Sequence, residues 1–251
     1  MKEPNARRMA PLLAAILLGA CAVGAALYFR PYAVGTAPSL LSSDASVLVK
    51  AEAFGTVYVP AAGPSSLGLA FYPGARVPRE AYAYLGQGLA RAGYTTVILT
   101  LPLNFAIFAP AKARRAMEAL PEVGAWALGG HSLGGAMAAS FASSSPPKVV
   151  GLLLLASWPG SSTKLSAWGY PVLSIAASND ELATQAKIAA ARPRLPPKTR
   201  YVEIAGGNHA QFGDYGAQSG DGAASLPAEL QRRAVTEETI AFLDSILAGK
   251  R

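Results

Sequence analysis

Val149-Val150-Gly151-Leu152-Leu153-Leu154-Leu155 carries no charge and no hydroxyl. It is too short to cross a bilayer and too continuous for a strand with one wet face. A strand that is apolar on both faces must be covered on both faces, the condition of a parallel sheet between two layers of helices. Further short apolar runs follow the same rule: Leu67–Tyr72, Thr95–Leu99, Ala125–Leu128, Val172–Ala176 and Arg200–Ile204. Helical patterns separate them over Arg79–Ala92, Ala111–Leu120, Glu181–Ala191 and Leu230–Leu247. Val47–Val49 and Thr56–Val59 read as an opening antiparallel pair. The alternation predicts an α/β fold with a mostly parallel central sheet and helices on both faces. A chain of 251 residues, half of them hydrophobic, fills one such core. No internal repeat divides it.

Three segments are expected: residues 1–30, a short linker over 31–44, and one domain over 45–251. Met9 to Phe29 holds 21 residues without a charge, and a helix needs about twenty to span the hydrocarbon core. Lys2, Arg7 and Arg8 precede the span and Arg30 follows it, which leaves the N-terminus in the cytoplasm and the domain outside. Two processed forms compete with a single-pass anchor. Ala20-Cys21-Ala22 offers a signal-peptide cleavage site, giving a secreted protein, and Leu18-Gly19-Ala20-Cys21 resembles a lipoprotein signal lipidated at Cys21. The apolar run continues eight residues beyond Cys21, which favours the uncleaved anchor.

Cys21 is the single cysteine, so the chain forms no internal disulfide and has no cysteine cluster for a metal. Of the net charge of +7, the N-terminal cations less Glu3 contribute +3. The modest remainder carries no basic stripe interleaved with aromatics, and nucleic acid is not an expected partner. Asp214 and Asp221 lie in a Gly-rich stretch without the regular ligand spacing of a calcium loop.

Chemistry concentrates at Gly129-Gly130-His131-Ser132-Leu133-Gly134-Gly135, between a predicted strand and a small-residue helix. A Gly-x-Ser-x-Gly turn in that context holds the serine in a strained conformation with its hydroxyl at the sheet edge. Serine needs an adjacent base, and the chain has two histidines. His131 is held in the turn with its side chain directed away from Ser132. That leaves His209, which follows the last strand in Gly206-Gly207-Asn208-His209. The base needs an anionic partner, and between the two lie Asp180, Glu181 and Glu203. Glu203 sits within a strand; Asp180 ends one, and either caps the following helix or orients the base, with Glu181 as fallback. Oxyanion stabilisation calls for two donors: the Leu133 amide at the helix start, and the Ala75 amide, with Gly74 as alternative, after Leu67–Tyr72.

Over residues 54–248 these features resemble the α/β-hydrolase superfamily. Tyr72-Pro73-Gly74-Ala75-Arg76-Val77, Leu101-Pro102-Leu103-Asn104, Gly129–Ala138 and Asn208-His209-Ala210-Gln211-Phe212-Gly213 are similar to a bacterial, often membrane-anchored family related to dienelactone hydrolases. The resemblance implies Ser132 as nucleophile, Asp180 as acid, His209 as base, and Leu133 and Ala75 as oxyanion amides, with no metal or organic cofactor. Dienelactone hydrolases proper use cysteine where this chain has serine, so their substrate is not carried over. The fifteen residues Ala156–Tyr170, where relatives insert a helical cap, leave room for one short helix at most. An open site for small or exposed esters is expected, with Trp158 and Trp168 at its rim and Asn104 near its mouth. The expected activity is carboxylic-ester hydrolysis. Acyl transfer by the same residues and a non-catalytic binding protein on the same fold stand as alternatives. The sequence does not give the oligomeric state.

Overall fold

The computed structural model describes residues 6–249, with the side chains of residues 6–14, 16 and 27 outside that description. The chain forms two units, Met1–Pro31 and Tyr32–Arg251. In the first, helix α1 runs over Ala6–Tyr28, and the Tyr28 ring meets Phe29 edge-on at 5.2 Å. Eight of the 21 side chains in the span expected over Met9–Phe29 lie outside the described residues. Among the described residues no helix is long and apolar enough to cross a membrane.

In the second unit the apolar runs become strands β1 (Val47–Glu52), β2 (Gly55–Pro60), β3 (Leu67–Tyr72), β4 (Thr95–Leu99), β5 (Ala125–His131), β6 (Val149–Leu155), β7 (Val172–Ala177) and β8 (Arg200–Ile204). Helices α2 (Ala83–Arg91), α3 (Lys112–Ala119), α4 (Leu133–Ser143), α5 (Gln185–Ala191) and α6 (Ala228–Ala248) are interleaved with them. The strands make one sheet in the order β1-β2-β4-β3-β5-β6-β7-β8. β2 runs antiparallel to both β1 and β4, and every pairing from β4 to β8 is parallel. The chain leaves β3 for β4 on one side and returns to β5 on the other. A reversal of this kind opens a crevice at the carboxyl ends of the strands, where open α/β sheets place their sites.

Side-chain alternation divides the core in two. Ala127, Leu153 and Leu155 face a cluster with Leu85 and Leu89 of α2 and Phe242, Leu243 and Ile246 of α6. Trp126, Leu128, Leu152 and Leu154 face Ala116 of α3 and Ala138, Ala139 and Phe141 of α4. Both faces are therefore covered, as the unalternating strands require. Truncating a fully buried leucine such as Leu153 to alanine costs about 2–5 kcal/mol in such a core.

Three local expectations are corrected. The helix read over Arg79–Ala92 is a 3-10 turn, Arg79–Tyr82, followed by α2. The helix read from Glu181 begins at Gln185, capped by the Thr184 hydroxyl accepting the Lys187 amide. Residues 32–44 are not a free linker. The Tyr32 amide donates to the Arg76 carbonyl at 2.9 Å and the Gly35 amide to the Asp214 carbonyl at 3.0 Å. The Thr36 hydroxyl donates to the Glu80 carbonyl at 2.8 Å, and Gln87 donates to the Leu40 and Ser42 carbonyls. Between β6 and β7 the chain forms no helix.

Candidate active site

Ser132 stands at the joint of β5 and α4 with φ 53° and ψ −124°, in the left-handed half of backbone space that a side chain rarely occupies. The surroundings hold it there. Its amide donates to the Leu155 carbonyl at 2.9 Å, and its carbonyl accepts from the Ser157 hydroxyl at 2.6 Å. The tight turn also requires the flanking glycines. A Cβ on Gly130 would lie 2.4 Å from the Gly134 carbonyl carbon, and one on Gly134 would lie 2.2 Å from the Tyr72 carbonyl oxygen. Gly134 is thus the point where the loop after β3 touches the first turn of α4.

Asp180, at the end of β7, and His209, after β8, meet at the same edge. His209 Nδ1 and Asp180 Oδ2 are 2.8 Å apart, with side chains 2% and 0% exposed. The other Asp180 oxygen accepts the Leu182 and Ala183 amides at 2.8 and 2.5 Å. One carboxylate therefore folds the turn after β7 and meets the imidazole, whereas the cap of α5, expected as an alternative role for Asp180, belongs to Thr184. Glu181 and Glu203 are exposed. Ser132, Leu133 and His209 line one cavity of about 410 Å³, together with Ala156, Trp158, Leu182 and Gln218. Among the described residues no hydrogen bond joins the Ser132 hydroxyl to His209; the two meet as neighbours on the cavity wall. Contacts of this kind often tighten only when substrate is bound.

Leu133 opens α4, so its amide has no carbonyl partner within the helix. Ala75 stands half-buried in the turn after β3, outside the lining of the cavity. The Gly74 amide is already engaged, donating to the Tyr82 hydroxyl at 3.0 Å. Trp158 lines the cavity as expected, whereas Trp168 packs edge-on against Tyr170 at 5.2 Å, away from it. Asn104 is not part of the cavity wall; its carbonyl accepts the Arg76 amide at 2.9 Å.

Several residues that hold the site escaped the sequence reading. Asp221 accepts the His209 amide at 3.2 Å, the Ala210 amide at 2.8 Å and the Gly222 amide at 2.9 Å, pinning the histidine loop. Gln231, fully buried on α6, accepts the Asn208 amide at 3.0 Å and donates to the Asn208 carbonyl at 2.8 Å. His131 turns into the core, where the Tyr82 hydroxyl lies 2.8 Å from its Nδ1. Because that hydroxyl already accepts from Gly74, its proton is directed at Nδ1, which places the ring proton on Nε2. Nε2 faces the His209 backbone without completing a hydrogen bond. Burial, and secondly the proximity of His209, hold the His131 pKa well below the ordinary 6.5, so the ring is neutral. Burial likewise pushes the Tyr82 hydroxyl far above its ordinary range. Among the described residues no cluster of histidine, cysteine and acidic side chains could hold a metal ion.

No curated protein matches the chain. Among solved structures it is similar to one described with LipS and LipT, two metagenome-derived lipolytic enzymes. That likeness has a TM-score of 0.54 at 16% identity and covers 73% of this chain and 95% of the other. At such identity it speaks to the fold alone. The family model described as Alpha/beta hydrolase family matches residues 68–233, from β3 into α6, and so takes in the serine turn, Asp180 and His209. The chain belongs to the alpha/beta hydrolase family.

Proposed function

We propose that the protein is a serine hydrolase acting on carboxylic esters, tethered to the membrane through Met9–Phe29 with its domain outside the cytoplasm. The observation that carries the reaction is the buried Asp180–His209 pair, which opens onto the cavity that Ser132 lines. Asp180 accepts the Nδ1 proton of His209 and leaves Nε2 free to take a proton. Ser132 Oγ forms a bond to the ester carbonyl carbon as its proton passes to Nε2. Oxyanion charge falls on the Leu133 and Ala75 amides, the Gly74 amide being committed to Tyr82. Collapse breaks the ester C–O bond, and the leaving alcohol takes the proton from His209. Water then repeats the sequence on the acyl-enzyme and restores Ser132. None of these steps calls for a metal or organic cofactor. The fold likeness to enzymes described as lipolytic supports an ester as substrate.

The test is a fluorophosphonate probe together with p-nitrophenyl acetate. The folded protein is expected to label and to turn over the ester, and Ser132→Ala to do neither. A folded protein that neither labels nor hydrolyses any ester sinks the proposal in favour of a binding role. A phosphatase reporter fused after residue 40 tests the topology: it is active if that segment is exported.

A further inference from the structure

One side chain on the cavity wall is firmly held and still has hydrogen-bonding capacity to spare. Gln218 lines the cavity with Ser132 and His209. Its side-chain oxygen accepts the Tyr215 hydroxyl at 2.9 Å. That hydroxyl has no other acceptor among the described residues, so the amide oxygen faces Tyr215 and the amide N–H donors are left to the cavity. No group of the described residues accepts from them. The Ser157 hydroxyl, on the same wall, is spent on the Ser132 carbonyl at 2.6 Å. Leu133, Ala136, Ala156, Leu182 and Ala183 bring no polar side-chain atom, and among the described residues no lysine, arginine, aspartate or glutamate lines the cavity. A neutral donor thus stands on an otherwise apolar wall beside the base.

The donor is fixed from two sides. Tyr215 is buried, its ring 5.1 Å from that of Tyr32 and 6.3 Å from that of His131. The chain presses close to it: a Cβ on Gly213 would lie 2.7 Å from the Tyr215 ring. The Gln218 carbonyl accepts the Asp221 amide at 3.2 Å, and the Asp221 carboxylate accepts the amides of His209 and Ala210. Gly216 and Gly220, with φ of 77° and 82°, bend the chain on either side of Gln218. The amide of Gln218 is therefore tied to the core through Tyr215 and to His209 through Asp221.

In the proposed reaction the leaving oxygen takes its proton from His209, so the alcohol half of the ester lies on the histidine side of the cavity. We infer that Gln218 is a specificity residue whose amide donates to a second oxygen on that alcohol. The preferred substrates are accordingly neutral esters of diols, polyols and ether alcohols. The inference deepens the proposed function and rests on its reading of Ser132 and His209 as the reacting pair. A plain alkyl alcohol displaces water from the Gln218 amide and gives it nothing in return, which costs affinity.

The test compares kcat/KM for 2-methoxyethyl butyrate and n-butyl butyrate, which differ by an oxygen in place of one methylene. The intrinsic reactivity of each ester cancels between forms of the protein, so the readout is the ratio of the two values. In Gln218→Leu the ratio is expected to fall about fivefold, the worth of one neutral hydrogen bond. Gln218→Glu keeps an acceptor for Tyr215 and removes the donor, and its ratio is expected to fall at least as far. A wild-type ratio in Gln218→Glu makes the residue a strut for Tyr215 alone and overturns the inference. The pair n-butyl 3-methoxypropanoate and n-butyl pentanoate moves the oxygen to the acyl half. A ratio that responds to Gln218→Leu there, and not on the alcohol half, also overturns it. Fluorophosphonate labelling separates this inference from the proposed function. Variants that label and keep the wild-type ratio, or a wild type that labels and cleaves none of the four esters, overturn the role of Gln218 and leave the nucleophile standing. A folded wild type that neither labels nor cleaves any of them removes both.

Discussion

The rings of His131 and His209 lie with centroids 4.5 Å apart and planes at 44°, so the residue before the serine backs the histidine after β8. Phe212 closes the other side of His131 at 5.6 Å. In the proposed reaction a charged ring there would repel the imidazolium formed on His209, and burial keeps it neutral.

That neutrality has a cost in acid. Unfolding releases His131 to its ordinary pKa of 6.5, and the folded value lies well below it. Below 6.5 the unfolded chain therefore binds a proton that the native chain does not, and stability falls as pH falls, by up to about 1.4 kcal/mol per pH unit. In His131→Asn, which keeps an acceptor for Tyr82, this slope between pH 6.5 and 5 is expected to flatten. Urea titrations at four pH values measure it, and an unchanged slope contradicts the assignment.

Tyr82→Phe removes the acceptor of the Gly74 amide and the donor to His131 in one step. Both groups are buried, and the expected loss of stability is about 1–3 kcal/mol. The turn that carries Ala75 loses its tie, so kcat is expected to fall with KM nearly constant. A rise in KM alone would place the effect in substrate binding.

Asp180→Asn keeps an oxygen for the Leu182 and Ala183 amides but turns an N–H toward His209 Nδ1. The ring is forced to carry its proton on Nε2 and can no longer accept one from Ser132. A fall in kcat of about 10⁴ is expected, with the fold retained by circular dichroism. Activity within tenfold of the parent would remove Asp180 from its role.

Asp221 acts only on backbone, so its variants should grade with the number of acceptors left. Asp221→Asn preserves one oxygen and Asp221→Ala none, while the amides of His209, Ala210 and Gly222 remain. Losses in kcat are expected to rank alanine above asparagine. An alanine variant with parental kcat shows that the loop holds itself.

What the sequence discloses about this site follows from how locally each feature is determined. The strands were legible because their burial is written in runs such as Val149–Leu155. The serine turn was legible because its glycines answer contacts made within five residues and with the next strand. The Asp180–His209 contact followed by elimination, since few carboxylates lie between Ser132 and His209. Tyr82, Ser157, Asp221 and Gln231 were not legible, because nothing near them in the chain marks their partners. Tyr82 reaches His131 across 49 positions, and Gln231 reaches Asn208 across 23. The start of α5 was misplaced for a related reason. The turn from Asp180 to Ala183 is folded by the acid itself, which spends on Leu182 and Ala183 the hydrogen bonding that a helix cap would use. The linker's serines and prolines look like spacer, while its backbone bonds to Arg76 and Asp214 and its Thr36 hydroxyl to Glu80.

The stretch between β6 and β7 lines the cavity with Ala156, Ser157, Trp158 and Gly160 and forms no helix to cover it. Progress curves should therefore start at full velocity, with no lag on first contact with substrate. In the proposed ester hydrolysis, discrimination among acyl groups then comes from fixed walls, chiefly Trp158 and Leu182. An enzyme built this way gives up the exclusion of water by closure and keeps fast exchange of product for substrate.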